Sequence, residues 1–152
     1  MKLPPPAVIL SVTDISVLFF KSTEHSPDAP PHFFILFPLD KAICFLVTFI
    51  TSNVEGRSFY YRDNEKATKS LIPVDNNVFE FLRKKSIIDC NQSRLLTVEE
   101  LIATIDPDGP CDIVSRKFPS YLREEIIKAI LGSPLIERYI KNIVKRNYRG
   151  KG

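Results

Sequence analysis

The stretch that decides the fold is His32–Thr51, which reads HFFILFPLDKAICFLVTFIT. Two nearly continuous apolar runs, His32–Phe37 and Ala42–Thr51, flank a short segment that holds an adjacent aspartate and lysine. Apolar runs bounded by turn residues are typical of strands covered on both faces. The pattern predicts a buried β-hairpin that turns at Pro38–Lys41. A membrane span is not expected, because a transmembrane helix needs ~20 apolar residues with few charges.

Shorter apolar runs on either side of the hairpin supply the other predicted strands. They are Ala7–Val12, Ile15–Phe20, Ser70–Val74, Lys85–Asn91 and Cys111–Val114. Asn53–Lys69 is polar and predicts a long loop with room for a short strand at Ser58–Tyr61. Asn77–Leu82 predicts a single helical turn. Together these elements predict an antiparallel sheet or small barrel of about five to seven strands.

Helices are predicted for the end of the chain. Thr97-Val98-Glu99-Glu100 is a capping box, in which the threonine and the last glutamate each bind a backbone N–H. Pro119–Leu131 forms the next helix, which Gly132 ends. Ser133 and Pro134 then open a final amphipathic helix over Leu135–Val144. Strands first and helices later predict an α+β fold.

Length and charge limit the domain organisation and the partners. The 152 residues fit one domain, with a barrel part over about 7–115 and a helical part over about 118–147. Residues 116–152 carry ten Lys and Arg against three Glu, whereas the rest carries eleven against fifteen acidic residues. A basic C-terminal third attracts nucleic acid or an acidic protein, and it is equally typical of solvated helix faces.

The cysteines and the start of the chain bear on metal binding and location. Cys44, Cys90 and Cys111 are far apart and form no Cys-x-x-Cys motif, so we expect no zinc site, and the pattern fits a reducing cytoplasm. Pro4-Pro5-Pro6 interrupts the start, and Ala7–Leu10 is shorter than the apolar core of a signal peptide. We therefore expect a cytoplasmic protein.

Polar side chains stand at the ends of the predicted strands. His32 enters the hairpin and Thr51-Ser52 leaves it, so the hairpin would place them side by side at its open end. A third polar patch, Asp89–Arg94, follows an apolar strand. Histidine suits proton transfer, and a fixed arginine suits anion binding. Each feature singly is also typical of an ordinary surface residue or strand end.

Three motifs occur in a fixed order along the chain. An apolar hairpin ends in Thr51-Ser52, the segment Cys90-Asn91-Gln92-Ser93-Arg94-Leu95-Leu96 follows, and an amphipathic helix closes the pattern. Ser86-x-x-Asp89-Cys90 also follows an apolar Phe79-x-Phe81-Leu82. Over roughly residues 7–131 the chain resembles the PemK/MazF-like toxins, whose members often read Cys-Asp-Gln-x-Arg-Thr-hydrophobic-Asp at the second motif. The resemblance implies a small SH3-like antiparallel β-barrel with C-terminal helices.

The resemblance also implies metal-free cleavage of RNA through attack by the ribose 2′-hydroxyl group. Thr51 and Ser52 match the family's hydroxyl pair at the RNA-binding cleft, and Arg94 matches its catalytic arginine. Such chemistry needs a base, an acid and a cation beside the phosphate. Asparagine and threonine stand at positions 91 and 97, where the family often has aspartates, so Asp89 or His32 would act as the base.

Candidate RNA-binding side chains lie mainly in the polar segment after the hairpin. Arg57 and Arg62 would contact phosphate, and Tyr60 and Tyr61 would stack on bases. The expected set is completed by Lys84, Lys85 and Gln92. An ordinary mobile loop is the alternative interpretation of this segment.

These patterns favour a toxin-like endoribonuclease, expected to be a cytoplasmic homodimer without a cofactor or metal. The expected partners are RNA and a cognate antitoxin with an acidic disordered segment. The final helix Leu135–Val144 would serve the dimer interface or that partner. The alternatives are a catalytically inactive RNA- or protein-binding module on the same barrel, and a structural or phage-type accessory protein.

Overall fold

The structure, a computed structural model, describes residues 3–148. Its strands are β1 (Ser16–Phe20), β2 (His32–Leu39), β3 (Cys44–Thr51), β4 (Leu71–Val74), β5 (Ser86–Thr97) and β6 (Cys111–Ser115). Its helices are α1 (Pro5–Leu10), α2 (Val54–Tyr60), α3 (Glu65–Thr68), α4 (Val98–Thr104), α5 (Ser120–Gly132) and α6 (Arg138–Tyr148). The α+β prediction is confirmed.

The strands form one antiparallel sheet in the order β4-β5-β3-β2-β1-β6. The β1–β2 register runs from Ser16 opposite Leu36 to Phe20 opposite His32, and the β1–β6 register shifts between Val17 and Leu18. The order leaves β4 and β6 at the edges, so within residues 3–148 the sheet is not closed and the predicted barrel is not confirmed.

The predicted hairpin is present as β2 and β3, and its turn lies two residues later than Pro38–Lys41 suggested. Asp40, Lys41 and Ala42 occupy the turn with φ angles of 49°, 60° and 66°. The left-handed region is unfavourable for residues with a Cβ atom, and glycine is its usual occupant. The hairpin therefore turns on a backbone conformation that aspartate tolerates but that is unfavourable for Lys41 and Ala42.

Two segments that were predicted without helices are helical. Ala7–Val12 was predicted as a strand, but Pro5 takes the first position of α1, where its fixed φ suits a helix start. Asn53–Lys69 was predicted as a loop, but it holds α2 and α3. Asn53 and Asn64 cap these two helices by accepting a hydrogen bond from the backbone N–H three residues later.

Strand β5 is longer than predicted. Lys85–Asn91 was expected to end in a polar loop that carries Arg94, but the strand continues to Thr97. Asn91 and Ser93 are buried, whereas Gln92 and Arg94 are exposed, so the polar residues keep the two-residue alternation of a strand. Polarity in this stretch marks buried hydrogen bonds rather than the end of the strand.

The C-terminal helices agree with the sequence in part. The capping box at Thr97 is present, and α5 matches the predicted helix. The last helix begins at Arg138 rather than near Leu135. The Ser133 hydroxyl accepts a hydrogen bond from the Leu135 N–H at 3.2 Å, which holds a turn before the helix. Asn77–Leu82 forms turns rather than a helix.

The described chain divides into two compact units. The first unit runs up to Val47 and includes Arg94–Phe118, and the second comprises Thr48–Ser93 and the chain from Pro119 onward. Phe20 and Phe34 stack in the first unit with ring centroids 4.2 Å apart. In the second unit α5 and α6 bury their apolar faces, which comprise Leu122, Ile126, Ile127, Ile130, Ile140 and Val144.

No helix among residues 3–148 combines the length and the apolar character that crossing a membrane requires.

Replacing Ala42 with glycine is expected to raise the free energy of unfolding by about 1 kcal/mol, because glycine removes the left-handed strain. The same change at Ala103, which is exposed within α4, is expected to lower it by about 1 kcal/mol. Urea unfolding measures both values. A loss of stability in both variants would show that the turn is not strained at Ala42.

Candidate functional site

The two histidines of the chain meet in the first unit. The rings of His25 and His32 lie edge to face, with centroids 5.2 Å apart and planes at 79°. Glu24, the neighbour of His25, forms an ion pair with Arg94. We call Glu24, His25, His32 and Arg94 the histidine–arginine cluster. Two predicted catalytic residues, His32 and Arg94, therefore contact consecutive residues of one loop, His25 and Glu24 respectively.

Backbone contacts hold the loop that carries Glu24 and His25. The Thr23 N–H donates to the Thr104 carbonyl at 2.8 Å, and the Thr23 hydroxyl donates to the Ala103 carbonyl at 3.1 Å. The Glu24 N–H donates to the Ser22 hydroxyl at 3.1 Å. His32 is fixed by its position in β2, opposite Phe20. The cluster is thus built on a strand and on a loop anchored to α4.

Arg94 is half-exposed, and its ion pair with Glu24 is solvated. The two side chains are 50% and 48% exposed. An ion pair of this kind contributes only about 0–1 kcal/mol, so a phosphate group can displace the glutamate at small cost. The Glu100 pKa is lowered chiefly by hydrogen bonds from Thr97, and the charge of Arg94 lowers it further. The guanidinium is accordingly a cation within reach of an anionic ligand.

Asp89, another predicted catalytic residue, is fully enclosed in the second unit. The Tyr61 hydroxyl donates to its Oδ2 at 2.9 Å, and the Asn91 N–H donates to its Oδ1 at 3.1 Å. The guanidinium Nη1 of Arg57 lies 3.7 Å from Oδ2. Burial raises the pKa of Asp89, although these donors oppose the shift. Its oxygens already have partners, which favours a structural role over contact with substrate.

The network around Asp89 extends to other parts of the second unit. Asn91 donates to the Ala67 carbonyl at 2.8 Å and accepts from the Ser133 hydroxyl at 2.6 Å. Gln92, predicted to bind RNA, is exposed and donates to the Tyr61 hydroxyl at 3.1 Å. Burial is the main cause of the raised Tyr61 pKa. This buried network joins β5 to helix α3 and to the segment after α5.

Of the predicted hydroxyl pair, Thr51 is buried and Ser52 is exposed. Thr51 is 7% exposed, and its hydroxyl accepts a hydrogen bond from the Asn53 N–H at 3.1 Å. Ser52 is exposed. The Thr51 hydroxyl therefore supports the start of α2, and the Ser52 hydroxyl faces solvent.

Helix α2 and its end carry exposed aromatic and cationic side chains. Phe59 and Tyr60 are 65% and 68% exposed. The guanidinium of Arg62 lies 3.9 Å from the centroid of the Phe59 ring, and Arg57 is partly exposed. We call Arg57, Phe59, Tyr60 and Arg62 the α2 surface. Tyr61 is only 3% exposed, so it is not available to stack on a base as predicted.

The remaining predicted RNA-binding residues, Lys84 and Lys85, are exposed next to the start of β5. They lie in the second unit, whose described residues carry thirteen Lys and Arg against nine acidic residues. The described part of the first unit carries five against nine. Basic charge is therefore concentrated in the unit that holds the α2 surface.

Sequence reasoning missed His25 and Phe59, and it assigned Tyr61 to base stacking although its hydroxyl hydrogen-bonds the buried Asp89. His25 lies in an irregular loop, and only the tertiary structure brings it to His32. Phe59 lies on α2, a helix that Asn53 caps, whereas the sequence was predicted to form a loop there. That cap is a signal that the sequence does contain, since asparagine is a favoured N-cap residue.

Replacing Asp89 with asparagine is expected to lower the free energy of unfolding by about 1–3 kcal/mol, because an amide N–H₂ would face the donors of Tyr61 or Asn91. The folded pKa of Asp89 is raised, so its titration stabilises the fold below the unfolded pKa, and this contribution is lost as pH rises through the folded pKa. The loss caused by the substitution should be largest near pH 4 and smaller at pH 7.

Urea unfolding between pH 4 and pH 7 tests this expectation. Asp63→Asn is the control, because Asp63 is 91% exposed, and it should change stability little. A loss from Asp89→Asn that grows with pH would contradict the assigned direction.

Among residues 3–148 the His, Cys, Asp and Glu side chains form no group of three or more that could hold a metal ion. Comparison of the chain with models of known protein families gave no match, and comparison with curated proteins gave no significant relative.

Proposed function

We propose that the protein is a toxin-like endoribonuclease that cleaves RNA without a metal, by attack of a ribose 2′-hydroxyl group. The observations that carry the proposal are the ring contact of His25 with His32 and the ion pair of Arg94 with Glu24, the residue that precedes His25 in the chain. Two imidazoles can serve as base and acid near neutral pH, and a guanidinium binds phosphate. These are the groups that such a reaction needs.

In the proposed reaction one imidazole takes the proton of the 2′-hydroxyl group, and the 2′-oxygen attacks the neighbouring phosphorus atom. The bond from phosphorus to the 5′-oxygen breaks, and the second imidazole, in its protonated form, gives its proton to that oxygen. The products are a 2′,3′-cyclic phosphate and a 5′-hydroxyl end. Arg94 would leave Glu24 and hold the charge that builds on the phosphate oxygens.

The resemblance to PemK/MazF-like toxins extends the proposal. It includes an SH3-like barrel, a cytoplasmic homodimer, and an antitoxin whose acidic disordered segment covers basic surface. Support comes from the five strands β5-β3-β2-β1-β6, which are neighbours in an antiparallel sheet, and from the excess of basic residues in the second unit. An acidic segment would be attracted to that unit.

His32→Ala and Arg94→Ala are each expected to slow RNA cleavage by about a hundredfold or more, because one removes a proton carrier and the other a phosphate ligand. A fluorescent single-stranded RNA, incubated in EDTA, measures the rate. A substrate with 2′-deoxyribose at the cleaved position should resist cleavage, since it lacks the nucleophile.

Arg116→Ala is the matched control, because Arg116 is another exposed arginine of the first unit and its guanidinium donates to the carbonyl and the hydroxyl of Ser11. It should leave the rate unchanged. Cleavage that persists in both Arg94→Ala and His32→Ala, or that needs a divalent cation, would exclude this mechanism.

The second candidate function is binding of single-stranded RNA without cleavage. The α2 surface favours it, because Phe59 and Tyr60 are well exposed and the Arg62 guanidinium lies against the Phe59 ring. Aromatic rings that stack on bases, next to cations that contact phosphate, are the usual means of binding single strands. Binding of RNA by the α2 surface does not require any residue of the histidine–arginine cluster.

Tyr60→Ala is expected to weaken binding of an oligouridylate by about 1–3 kcal/mol, because one stacked base loses its platform. Arg62→Ala should reduce the dependence of affinity on salt by about one released counterion. Fluorescence anisotropy measures both effects. Tyr121→Ala is the control, since Tyr121 is 57% exposed in the same unit but lies on α5. Equal weakening by Tyr60→Ala and Tyr121→Ala would argue against the α2 surface.

A further inference from the structure

A groove of about 870 Å³ lies in the second unit along the edge strand β4. Strand β4 and helix α5 form its walls, and α3, the segment after α5 and helix α6 also contribute to it. Leu71, Ile72, Ala129 and Leu131 give it apolar lining. None of its fourteen lining residues belongs to the histidine–arginine cluster or to the α2 surface.

The groove is strongly basic. Four lysines line it, and the single acidic lining residue is Glu125; the lysines are Lys66, Lys69, Lys128 and Lys141. Lys69 pairs with Glu65 at 3.4 Å, so the other three provide most of the charge available to a ligand. The C-terminal end of α5 adds roughly half a negative elementary charge, which the lysines outweigh. The groove is therefore complementary to an acidic ligand.

The outer side of β4 offers backbone hydrogen-bonding groups. The Ser70 carbonyl accepts from the Cys90 N–H at 3.1 Å, which makes Ser70 and Cys90 a hydrogen-bonded pair of the β4–β5 ladder. Because such pairs alternate along an antiparallel ladder, the backbone groups of Leu71 and Pro73 point away from β5. The outer edge thus presents one N–H, from Leu71, and two carbonyls, since proline has no N–H.

The lining distinguishes between two kinds of acidic ligand. Proteins that bind single-stranded nucleic acid supply aromatic rings or arginines for the bases. The lining residues of this groove include neither. A strand edge, an apolar wall and lysines instead suit an extended peptide, whose backbone pairs with the edge while its carboxylates reach the lysines.

We propose that this groove binds an extended acidic peptide segment of a partner protein, which adds to the sheet beside Leu71. The apolar lining takes alternate side chains of the peptide, and Lys128 and Lys141 bind its carboxylates. This binding does not depend on RNA cleavage, because the groove and the histidine–arginine cluster share no residue.

An acetylated octapeptide of alternating glutamate and valine is the probe. It is expected to bind the full chain in low salt, to bind less well as salt is raised, and to shift the NMR signal of the Leu71 amide. The double variant Lys128→Glu/Lys141→Glu should weaken binding by about tenfold or more. Lys145→Glu is the control on α6, because Lys145 is exposed and does not line the groove, and in about 0.15 M salt it should weaken binding much less than the double variant does.

A second variant tests pairing with the strand edge. Pro73→Val restores an outward N–H and should tighten peptide binding by up to about tenfold, since one hydrogen bond is added. Far-ultraviolet circular dichroism confirms that each variant is folded.

Three results would overturn the proposal. They are absence of peptide binding, equal weakening by the groove variant and by Lys145→Glu, and no gain from Pro73→Val. An oligouridylate of eight nucleotides that competes for the groove and loses affinity in the double variant would identify a nucleic-acid site instead. RNA cleavage is measured separately, so a protein that does not cleave RNA would leave the peptide-binding result unaffected.

Discussion

The need to hydrogen-bond the buried polar side chains of β5 organises the second unit. Asp89, Asn91 and Ser93 are all buried in one strand, and an unpaired polar group there costs about 1–3 kcal/mol. Asn91 reaches α3 through the Ala67 carbonyl and reaches the end of α5 through Ser133. Ser93 shares a hydrogen bond of 3.0 Å with Thr48 of β3. The strand thereby fixes the positions of elements that are far from it in sequence.

Local sequence patterns were sufficient to predict part of the fold. The hairpin of β2 and β3 follows from its apolar arms, and α4 follows from the capping box at Thr97. The extent of β5 could not be predicted, because Asn91 and Ser93 look like loop residues until their buried partners are known. The helices α1 and α2 were missed because short segments give weak periodicity, and their end residues decide the outcome.

The candidate site was predictable only for the residues that strands hold. His32 and Arg94 were identified from their places in the sequence, but the link between them runs through Glu24 and His25 in an irregular loop. The basic groove was not predicted at all, because its lysines come from three helices that meet only in the folded chain. Charge counts indicated the basic region without locating a cavity in it.

The proline in β4 has a consequence for the behaviour of this protein at high concentration. An exposed strand edge invites identical copies to add one after another, as they do in fibrils. Pro73 removes one of the two donors on the outer side of β4, and nearby lysines repel a second copy that carries the same charges. The edge can accept a short foreign strand, but it is a poor template for self-assembly.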